Sequence, residues 1–264
     1  HARAGVPVAP SLTVLPAEPL PALPSDLFPA ILKTAREGYD GKGQWTIHNA
    51  GELPAALAAS GVPCVLEKRL PLEGEFALTL ARSPSGAISA LPLVQNWHSG
   101  GILDQTRSPA KVPALEAEAQ RIAEHIIAAL DYVGVLTVEF FLVGGALLVN
   151  EMAPRPHNSG HPSIDNAGCS QFELQVRALC DLPLPAQAEV QPAILLNLLG
   201  DLWQDGTPDW AGALALPGVH LHLYGKGDAR PGRKMGHVTV TGRNWPTVEA
   251  TASQLRTLLG LPPR

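Results

Sequence analysis

The chain has 264 residues, 45% of them hydrophobic and 16% charged, a composition typical of a globular protein with one or two domains. Its formal net charge of -5 argues against a non-specific nucleic-acid binder, while a local basic site for a phosphorylated metabolite stays open. Three cysteines without CxxC spacing favour a reducing compartment, and no apolar run approaches the roughly 20 residues of a membrane span, so we expect a cytoplasmic protein.

The first 26 residues are rich in proline and predict an irregular connector that leads into a domain. Short apolar runs bounded by glycine and proline then predict strands, interrupted by one glycine-rich loop and one short helix. The predicted strands are 28–33, 45–48, 62–69, 76–81 and 87–95, the loop is 36–44 and the helix is 52–60.

The strongest helix signal covers 112–132, where five apolar residues recur at helical spacing. Two apolar strands follow at 135–143 and 146–150, and Gly144-Gly145 between them predicts a hairpin. The remaining predicted elements are a helix at 171–180, strands at 193–199, 219–224 and 237–241, and a helix through 254–259. Mixed helices and hairpin-linked strands predict α+β layers rather than a doubly wound parallel sheet.

Residues 38–44, Gly-Tyr-Asp-Gly-Lys-Gly-Gln, form a loop with three glycines, whose backbone N–H groups can fold around phosphate oxygens. Lys33 at the end of the preceding strand adds a positive charge for the same phosphates. The loop lacks the GxxxxGK[ST] spacing and is therefore not a P-loop. On the glycines alone, a flexible hairpin is an equally good interpretation.

Two carboxylates lie on the strands of the predicted hairpin, Glu139 on the first and Glu151 at the end of the second. Such a pair can share Mg²⁺ ions that bridge nucleotide phosphates. A strict two-residue turn would place Glu139 opposite Asn150 and turn Glu151 away. The glutamates face each other only if the loop has three residues or the strand carries a bulge. The apolar run around Glu139 disfavours an ordinary surface glutamate.

Residues 151–161, Glu-Met-Ala-Pro-Arg-Pro-His-Asn-Ser-Gly-His, are dense in hydrogen-bond donors and follow directly on this strand, where binding groups tend to lie. A zinc site from His157 and His161 is conceivable, but the neighbouring prolines and Gly160 disfavour the helix that it needs. A second basic segment, 224–237, carries Lys226, Arg230, Arg233 and Lys234 and can bind phosphate or stabilise negative charge, unless it is only a solvated turn.

These segments together resemble the N5-carboxyaminoimidazole ribonucleotide synthetase family, ATP-grasp enzymes of bacterial and fungal purine synthesis. The matching residues are 38–44, Glu67 with Glu75, 95–103, 150–161, 170–172 and 232–237. Their order and spacing run through nearly the whole chain, and 150–161 is the most specific of them.

The resemblance implies ATP-dependent carboxylation of 5-aminoimidazole ribonucleotide with bicarbonate, through carboxyphosphate, to N5-carboxyaminoimidazole ribonucleotide, ADP and phosphate. It implies an ATP-grasp fold, in which two α+β subdomains clamp ATP, followed by a small β-rich C-terminal segment. ATP and Mg²⁺ are the expected cofactors, and a homodimer is the expected assembly. Phosphoryl transfer fits the residues, since it needs mainly positioning and charge neutralisation.

The resemblance also implies roles for individual residues. It assigns ATP binding to Lys33, Gly38, Tyr39, Asp40, Gly41, Lys42, Gly43, Gln44, Glu67, Lys68, Arg69, Leu70, Glu75, His98, Asn150 and Glu151. It assigns Mg²⁺ binding to Glu139 and Glu151. The bicarbonate and ribonucleotide site is expected from Tyr39, Asp40, Arg155, His157, Asn158, Lys226, Arg233 and Lys234. Catalytic roles are expected for Tyr39, Asp40, Arg155, Lys226 and Arg233, with Arg155 and Lys226 stabilising carboxyphosphate.

The predicted domains are a connector at 1–24, a lid subdomain at 25–88, a catalytic subdomain at 89–188 and a C-terminal subdomain at 189–264 that completes the site. The family has a further small α/β domain at its start, and this chain, which begins with His1, is expected to begin just after it. Ribonucleotide binding by this polypeptide is therefore left open. Glu37 stands where the family usually has a glycine, which we expect to stiffen the loop.

Two other functions are compatible with the same residues. One is an ATP-grasp ligase that carboxylates or formylates another acceptor, which the segment at 150–161 disfavours. The other is a non-catalytic nucleotide-binding or regulatory descendant of such an enzyme. Retention of Lys33, Glu139, Glu151, Arg155 and Lys226 disfavours that descendant, because a degenerate site has no chemical need for all five.

Overall fold

The computed structural model describes residues 5–16, 18–36, 43–186 and 190–263. Its strands are β1 (Ser11–Val14), β2 (Ala30–Thr34), β3 (Gln44–Ile47), β4 (Cys64–Lys68), β5 (Gly74–Arg82), β6 (Ile88–Ala90), β7 (Val94–Ser99), β8 (Ile102–Ser108), β9 (Gly134–Val143), β10 (Ala146–Ala153), β11 (Ala193–Leu199), β12 (Val219–Leu223) and β13 (Lys234–Thr241). Its helices are α1 (Leu53–Ser60), α2 (Pro113–Ala129), α3 (Ser163–Asn166), α4 (Gln171–Leu179), α5 (Trp210–Ala215) and α6 (Trp245–Leu258).

A four-stranded antiparallel sheet, in the order β1-β4-β2-β3, forms the first layer. Alternate residues of β2 and β4 are buried, among them Leu32 and Leu66, as expected for strands with one face on a core. Helix α1 covers that face with Leu53 and Leu57. This layer therefore has its own apolar core.

The second layer is a nine-stranded sheet in the order β10-β9-β5-β7-β8-β11-β13-β12, with β6 paired to β5. Strands β5 and β9 of this sheet are buried along most of their length. Helix α2 packs on them with residues at helical spacing, namely Ala119, Ile122, Ala123, Ile126 and Ile127. All pairings between the strands are antiparallel, which confirms the α+β class.

The hairpin of β9 and β10 turns at Gly144 and Gly145, whose φ angles of 58° and 77° are those of a type I′ turn. The carboxylate of Glu73 accepts hydrogen bonds from both backbone N–H groups, at 2.7 and 3.2 Å. The turn has two residues, since Val143 pairs with Ala146. Thus the hairpin prediction is confirmed. The face of the sheet on which Glu151 lies then depends on whether β10 keeps its register between Ala146 and Glu151.

A bulge in β10 determines the face on which Glu151 lies. The register shifts between Val149 and Glu151, so that Glu151 pairs with Glu139 and Asn150 is the extra residue. A bulge sets two residues of one strand against one of its neighbour and reverses the alternation of faces beyond it. The two glutamates therefore lie directly across the hairpin from each other, as the magnesium prediction requires.

The last third of the chain extends the large sheet, because β11 pairs with β8. The buried amide of Asn197 on β11 donates to the carbonyl of Leu103 at 2.6 Å. Arg256 of α6 is 4% exposed and reaches the carboxylate of Asp104 at 2.7 Å. Helix α6 packs its apolar face on β11 and β13. Hydrogen bonds and an ion pair thus tie this part to the centre of the fold.

Several predicted elements need correction. The predicted connector contains β1, which is an edge strand of the first sheet. The strand predicted at 87–95 is two strands, β6 and β7, because Leu91-Pro92-Leu93 interrupts it. Strand β8 was not predicted, since its sequence is mostly polar; Thr106 is buried there because its hydroxyl donates to Asn96 at 2.9 Å.

Two helices also differ from prediction. The last helix begins at Trp245 rather than near 254, after Asn244, whose side chain accepts from the N–H of Thr247 at 3.0 Å. Threonines and a serine in its first three turns are weak helix formers and conceal it in the sequence. Helix α5 was not predicted at all.

The predicted domain boundaries stay a prediction. The change from the small sheet to the large one lies between Lys68 and Gly74, ahead of the predicted boundary at 88. No helix in the described part of the chain is long and apolar enough to cross a membrane.

Leu136→Ala should lower the free energy of unfolding by about 2–5 kcal/mol, because Leu136 is fully buried under α2 and its truncation leaves a cavity. Leu130→Ala is the matched control, since Leu130 is 50% exposed at the end of α2 and should change stability by about 0.5 kcal/mol or less. Urea unfolding measures both, and equal losses in the two variants would contradict the packing described here.

Candidate active site

Lys33 stands between the two sheets. Its ammonium group lies 2.9 Å from the carboxylate of Glu67 on β4 and 3.3 Å from the side-chain oxygen of Asn150 in the bulge of β10. It also lies 5.8 Å from the ring centroid of Phe141. The small sheet thus places the Lys33 ammonium group next to β10 of the large sheet. There a phosphate can take the place of Glu67 and Asn150 as its partner.

The other residues predicted to bind nucleotide line the same cleft or adjoin it. Gln44 pairs with Lys33 across β2 and β3, and Gly43 precedes it in the turn. Lys68 pairs with Asp26 at 3.4 Å, and the exposed Arg69 and the half-buried Leu70 follow β4. The loop residues Gly38, Tyr39, Asp40, Gly41 and Lys42 lie outside the described residues.

Glu75 and His98 form a contact on neighbouring strands of the large sheet. The Nδ1 atom of His98 lies 3.0 Å from a carboxylate oxygen of Glu75. Burial lowers the pKa of His98, but the contact with Glu75 and its negative charge outweigh that effect and raise it. Both side chains are partly exposed, so that either can meet a nucleotide in the cleft.

Glu139, Glu151 and His157 bring one ligand atom each to within 4.8 Å of one another. Burial, together with the charge of Glu151, raises the pKa of Glu139 to about 7. The Nε2 atom of His157 lies 3.4 Å from Glu139, but burial and the charge of Arg155 lower the pKa of His157 to about 3. A neutral imidazole therefore meets the carboxyl group. Oxygen ligands of this kind suit Mg²⁺, whose charge would keep both carboxylates ionised.

The segment at 155–161 follows the bulge as an irregular loop with one 3-10 turn, Asn158–Gly160. Arg155 is exposed and donates to the carbonyl of Pro156 at 3.0 Å. The side-chain amide of Asn158 is buried and has no hydrogen-bond partner among the described residues. An unpaired buried amide is costly, so Asn158 is well suited to receive a ligand.

The basic hairpin between β12 and β13 carries four cations, Lys226, Arg230, Arg233 and Lys234, three of which were assigned to the site. Lys226 is exposed and donates to the carbonyl of Lys234 at 2.7 Å, and Arg233 donates to the carbonyl of Asp228 at 3.0 Å. The charge of Lys234 lowers the pKa of Glu139 and of His157. Lys234 is therefore the hairpin cation whose field reaches the carboxylates, whereas Lys226 is bonded within the hairpin.

An aromatic cluster joins this hairpin to the loop. The hydroxyl of Tyr224 lies 2.8 Å from Nδ1 of His237, and His222 meets the carboxylate of Asp165 at 2.9 Å. The rings of His222 and His237 stack at 4.5 Å with an interplanar angle of 17°. Asp165, His222 and His237 each bring one possible ligand atom to within 4.8 Å of the others, a spacing that would suit a metal ion. Nearly parallel rings cannot both aim a lone pair at one ion, so the cluster is better described as a packed network.

The structure thus brings together Lys33, Glu139, Asn150, Glu151 and His157. Arg155 and Asn158 lie on the same loop as His157, and the charge of Lys234 acts on Glu139 and His157. The roles assigned to these residues stay predictions. A zinc site from His157 and His161 is disfavoured, because the Nδ1 atoms of both histidines are held in other contacts. Sequence reasoning assigned no role to the buried amides of Asn96 and Gln171, which support the loop, although both lie in segments that match the family, 95–103 and 170–172.

Comparison with known proteins gives consistent matches. Residues 1–172 match the model of the ATP-grasp domain, and residues 193–251 match the phosphoribosylaminoimidazole carboxylase C-terminal domain. The N5-carboxyaminoimidazole ribonucleotide synthase of Synechococcus elongatus is 44% identical over 237 residues, which are 88% of this chain and 60% of that protein. This chain therefore spans less than two thirds of that relative's length.

Solved structures agree with these matches. The N5-carboxyaminoimidazole ribonucleotide synthetase of Thermus thermophilus superposes with a TM-score of 0.85 at 37% identity, covering 100% of this chain and 71% of that one. The N5-carboxyaminoimidazole synthase of Aspergillus clavatus, in complex with ADP and 5-aminoimidazole ribonucleotide, gives 0.84 at 31% identity and covers 98% and 70%. The predicted ATP-grasp fold is thereby confirmed.

The raised pKa of Glu139 predicts a pH dependence of stability in the metal-free protein. The folded state holds the Glu139 proton up to about pH 7, whereas the unfolded state releases it near the ordinary value of 4.5. This contribution to the free energy of unfolding is present in full below about pH 4.5 and is lost as the pH rises to about 7. Urea unfolding in a chelator should show the decline in the wild type and a smaller one in Glu139→Gln.

The matched control is Glu18→Gln, because Glu18 is an exposed carboxylate of the same type. It should leave the pH dependence as in the wild type. An undiminished decline in Glu139→Gln would show that Glu139 is not the group that titrates.

Proposed function

The chain belongs to the N5-carboxyaminoimidazole ribonucleotide synthetase family of ATP-grasp enzymes, and from that premise we propose that it uses ATP to carboxylate 5-aminoimidazole ribonucleotide with bicarbonate. The products are N5-carboxyaminoimidazole ribonucleotide, ADP and phosphate. The chain spans only 60% of the Synechococcus relative, so the activity of the whole enzyme is a proposal for this chain.

One observation supports the proposal above all others. The bulge in β10 sets Glu151 against Glu139 and leaves Asn150 in contact with Lys33. A cation for phosphate and two facing carboxylates for Mg²⁺ are thereby gathered next to each other, and the charge of Lys234 acts on Glu139. Phosphoryl transfer needs this combination of positioning and charge neutralisation.

The reaction has two steps on this proposal. A bicarbonate oxygen attacks the γ-phosphorus, the bond from that phosphorus to ADP breaks, and carboxyphosphate forms. The exocyclic amine of the ribonucleotide then bonds to the carboxyl carbon as the C–O bond to phosphate breaks, and the nitrogen loses a proton. Carboxyphosphate carries more charge than bicarbonate, so cations near it favour the first step.

The residues divide between these steps. Lys33 binds the transferred phosphate, and Glu139 and Glu151 hold Mg²⁺, which supplies neutralising charge to the phosphates when bound. Arg155 and Lys234 stabilise bicarbonate and carboxyphosphate, and Asn158 offers its unpaired amide to a substrate. The predicted roles of Lys226 and Arg233 require both side chains to leave their contacts within the hairpin.

We also propose that the protein acts in the cytoplasm and as a homodimer, as is expected of the family. Analytical ultracentrifugation of the purified chain tests the assembly, and a species with the mass of one chain would contradict it.

Phosphate release from Mg-ATP and bicarbonate, with and without 5-aminoimidazole ribonucleotide, tests the reaction. We expect release to rise when the ribonucleotide is present. Binding of ATP without stimulated release would keep the nucleotide site and show that this chain lacks part of the ribonucleotide site. Absence of ATP binding would contradict the proposal as a whole.

Glu151→Gln should abolish turnover and weaken Mg²⁺ binding while leaving the fold intact, because the amide removes a negative charge from an exposed side chain. Circular dichroism and thermal melting check the fold, and titration of Mg²⁺ in the presence of ATP checks the metal. Wild-type turnover in this variant would remove Glu151 from the metal site.

Lys234→Ala should reduce carboxylation more than Lys226→Ala does, because the charge of Lys234 acts on Glu139 while Lys226 is bonded within its hairpin. Loss of one charge-assisted contact in a transition state typically costs roughly 100- to 1000-fold in kcat. Steady-state kinetics with varied ribonucleotide measures both. A larger loss for Lys226→Ala would show that the hairpin rearranges when substrate binds.

A further inference from the structure

The side chain of Gln171, the first residue of α4, connects both ends of the loop from His157 to His161. It is fully buried. Its Oε1 atom accepts from the backbone N–H of His157 at 2.8 Å, and its Nε2 atom donates to the carbonyl of the same residue at 2.8 Å. The Nε2 atom also lies 2.7 Å from Nδ1 of His161. One amide group therefore makes three hydrogen bonds to the segment predicted to bind substrate.

These contacts determine the orientation of the Gln171 amide. A backbone N–H can only donate, so the atom facing the N–H of His157 is the amide oxygen. A backbone carbonyl can only accept, so the atom facing the carbonyl of His157 is the amide nitrogen. An exchange of the two atoms would put like groups together at both places, which excludes the flipped orientation.

The orientation of the amide in turn determines the tautomer of His161. The Nε2 atom of Gln171 has two hydrogens and no lone pair available for acceptance, so it must donate to Nδ1 of His161. Nδ1 therefore carries a lone pair, and in the neutral imidazole the proton is on Nε2. Protonation of Nδ1 would set two N–H groups against each other at 2.7 Å.

The surroundings of His161 also favour the neutral imidazole. Its ring lies 5.6 Å from that of Phe172, 5.1 Å from that of His237 and in edge contact with Tyr224. The charged or titratable groups near it are Lys234, His222 and Arg155, together with His157, His237 and Tyr224. Burial first, and then Lys234, His222 and Arg155, lower its pKa to about 4. No described residue accepts a hydrogen bond from its Nε2 atom, and that atom is not sealed from solvent.

We propose that Gln171 is a positioning residue that holds His161 as a neutral Nε2–H donor, directed at an anionic oxygen of the substrates beside Arg155 and Lys234. This inference rests on the proposed function for the identity of the anion, but its first part concerns the free protein alone. A neutral donor binds an anion without losing or gaining a proton, which keeps the ring in one state while charge develops nearby.

The support that Gln171 gives to the loop is a separate effect. Gly160 lies so close to Gln171 that a Cβ atom at this glycine would be 2.4 Å from the amide oxygen. Substitution of Gln171 can therefore disturb packing as well as the tautomer. A test has to separate the two, with a reading of the imidazole itself and with a variant that lacks the imidazole.

The decisive measurement is ¹⁵N NMR of histidine-labelled wild-type protein, with the His161 signals assigned by their loss in His161→Phe. We expect an unprotonated Nδ1 and a protonated Nε2 for His161, unchanged on lowering the pH from 8 to about 5.5. A proton on Nδ1, or titration of the ring within that range, would overturn the proposal. This experiment needs neither turnover nor a stable variant at Gln171.

Gln171→Glu supplies the second test, since glutamate has the same shape but no N–H to offer. The proton of His161 should move to Nδ1, and kcat/KM for the ribonucleotide should fall roughly 10- to 100-fold, the effect of one hydrogen bond to a charged group. The KM for ATP should stay within about threefold of the wild type. Gln175→Glu is the matched control on the same helix, because Gln175 only accepts from the N–H of Val135 and does not contact the loop.

A double-mutant cycle isolates the part of the loss that passes through His161. In the His161→Phe background, Gln171→Glu should lower kcat/KM by no more than about threefold, because the group that it orients is absent. An equal loss in both backgrounds would show that Gln171 only supports the loop. If the predicted tautomer is observed and no preparation turns over, the proposed function fails while the tautomer assignment stands.

Discussion

Side chains along a strand alternate between two faces, and this alternation governs the whole site. With the two-residue turn at Gly144-Gly145, an unbroken β10 would carry Glu151 to the face opposite Glu139. The extra residue, Asn150, shifts the register by one, so that Glu151 lies on the same face as Glu139. It also reaches across to Lys33 of the other sheet. Facing carboxylates, interlayer contact and the direction of the loop that follows all depend on this one bulge.

The cleft that results combines opposite charges at close range. Burial of Glu139, together with the repulsion between the two facing glutamates, raises the pKa of Glu139 to about 7. The charge of Lys234 on β13 offsets part of this effect. A cation bound between the carboxylates would remove the rest. The repulsion between the two carboxylates therefore favours the binding of a cation between them, as expected of a functional site.

The sequence predicts the parts of this arrangement that depend on residue type and short-range pattern. The glycine pair indicates the hairpin, and apolar flanks mark Glu139 as unusual. No short sequence pattern predicts a bulge, because packing along the whole strand determines where it forms. The sequence alone therefore does not decide on which face of the sheet Glu151 lies. Strand β8 was not predicted for a related reason: its polar residues pair with side chains of other elements, Thr106 with Asn96 of β7 and Asp104 with Arg256 of α6, and such contacts appear only in the fold. The contacts of Gln171 with the loop are of the same kind.

Burial gives the histidines of the site a common property that distinguishes them from its lysines and arginines. His157, His161 and His237 all have pKa values lowered far below neutrality, by burial first and then by neighbouring positive groups. At neutral pH they add hydrogen-bond donors without adding charge. Recognition by geometry is thus assigned to these histidines and attraction by charge to the lysines and Arg155, whereas Glu139 and His98, whose pKa values are raised, are groups of the site whose charge depends on pH.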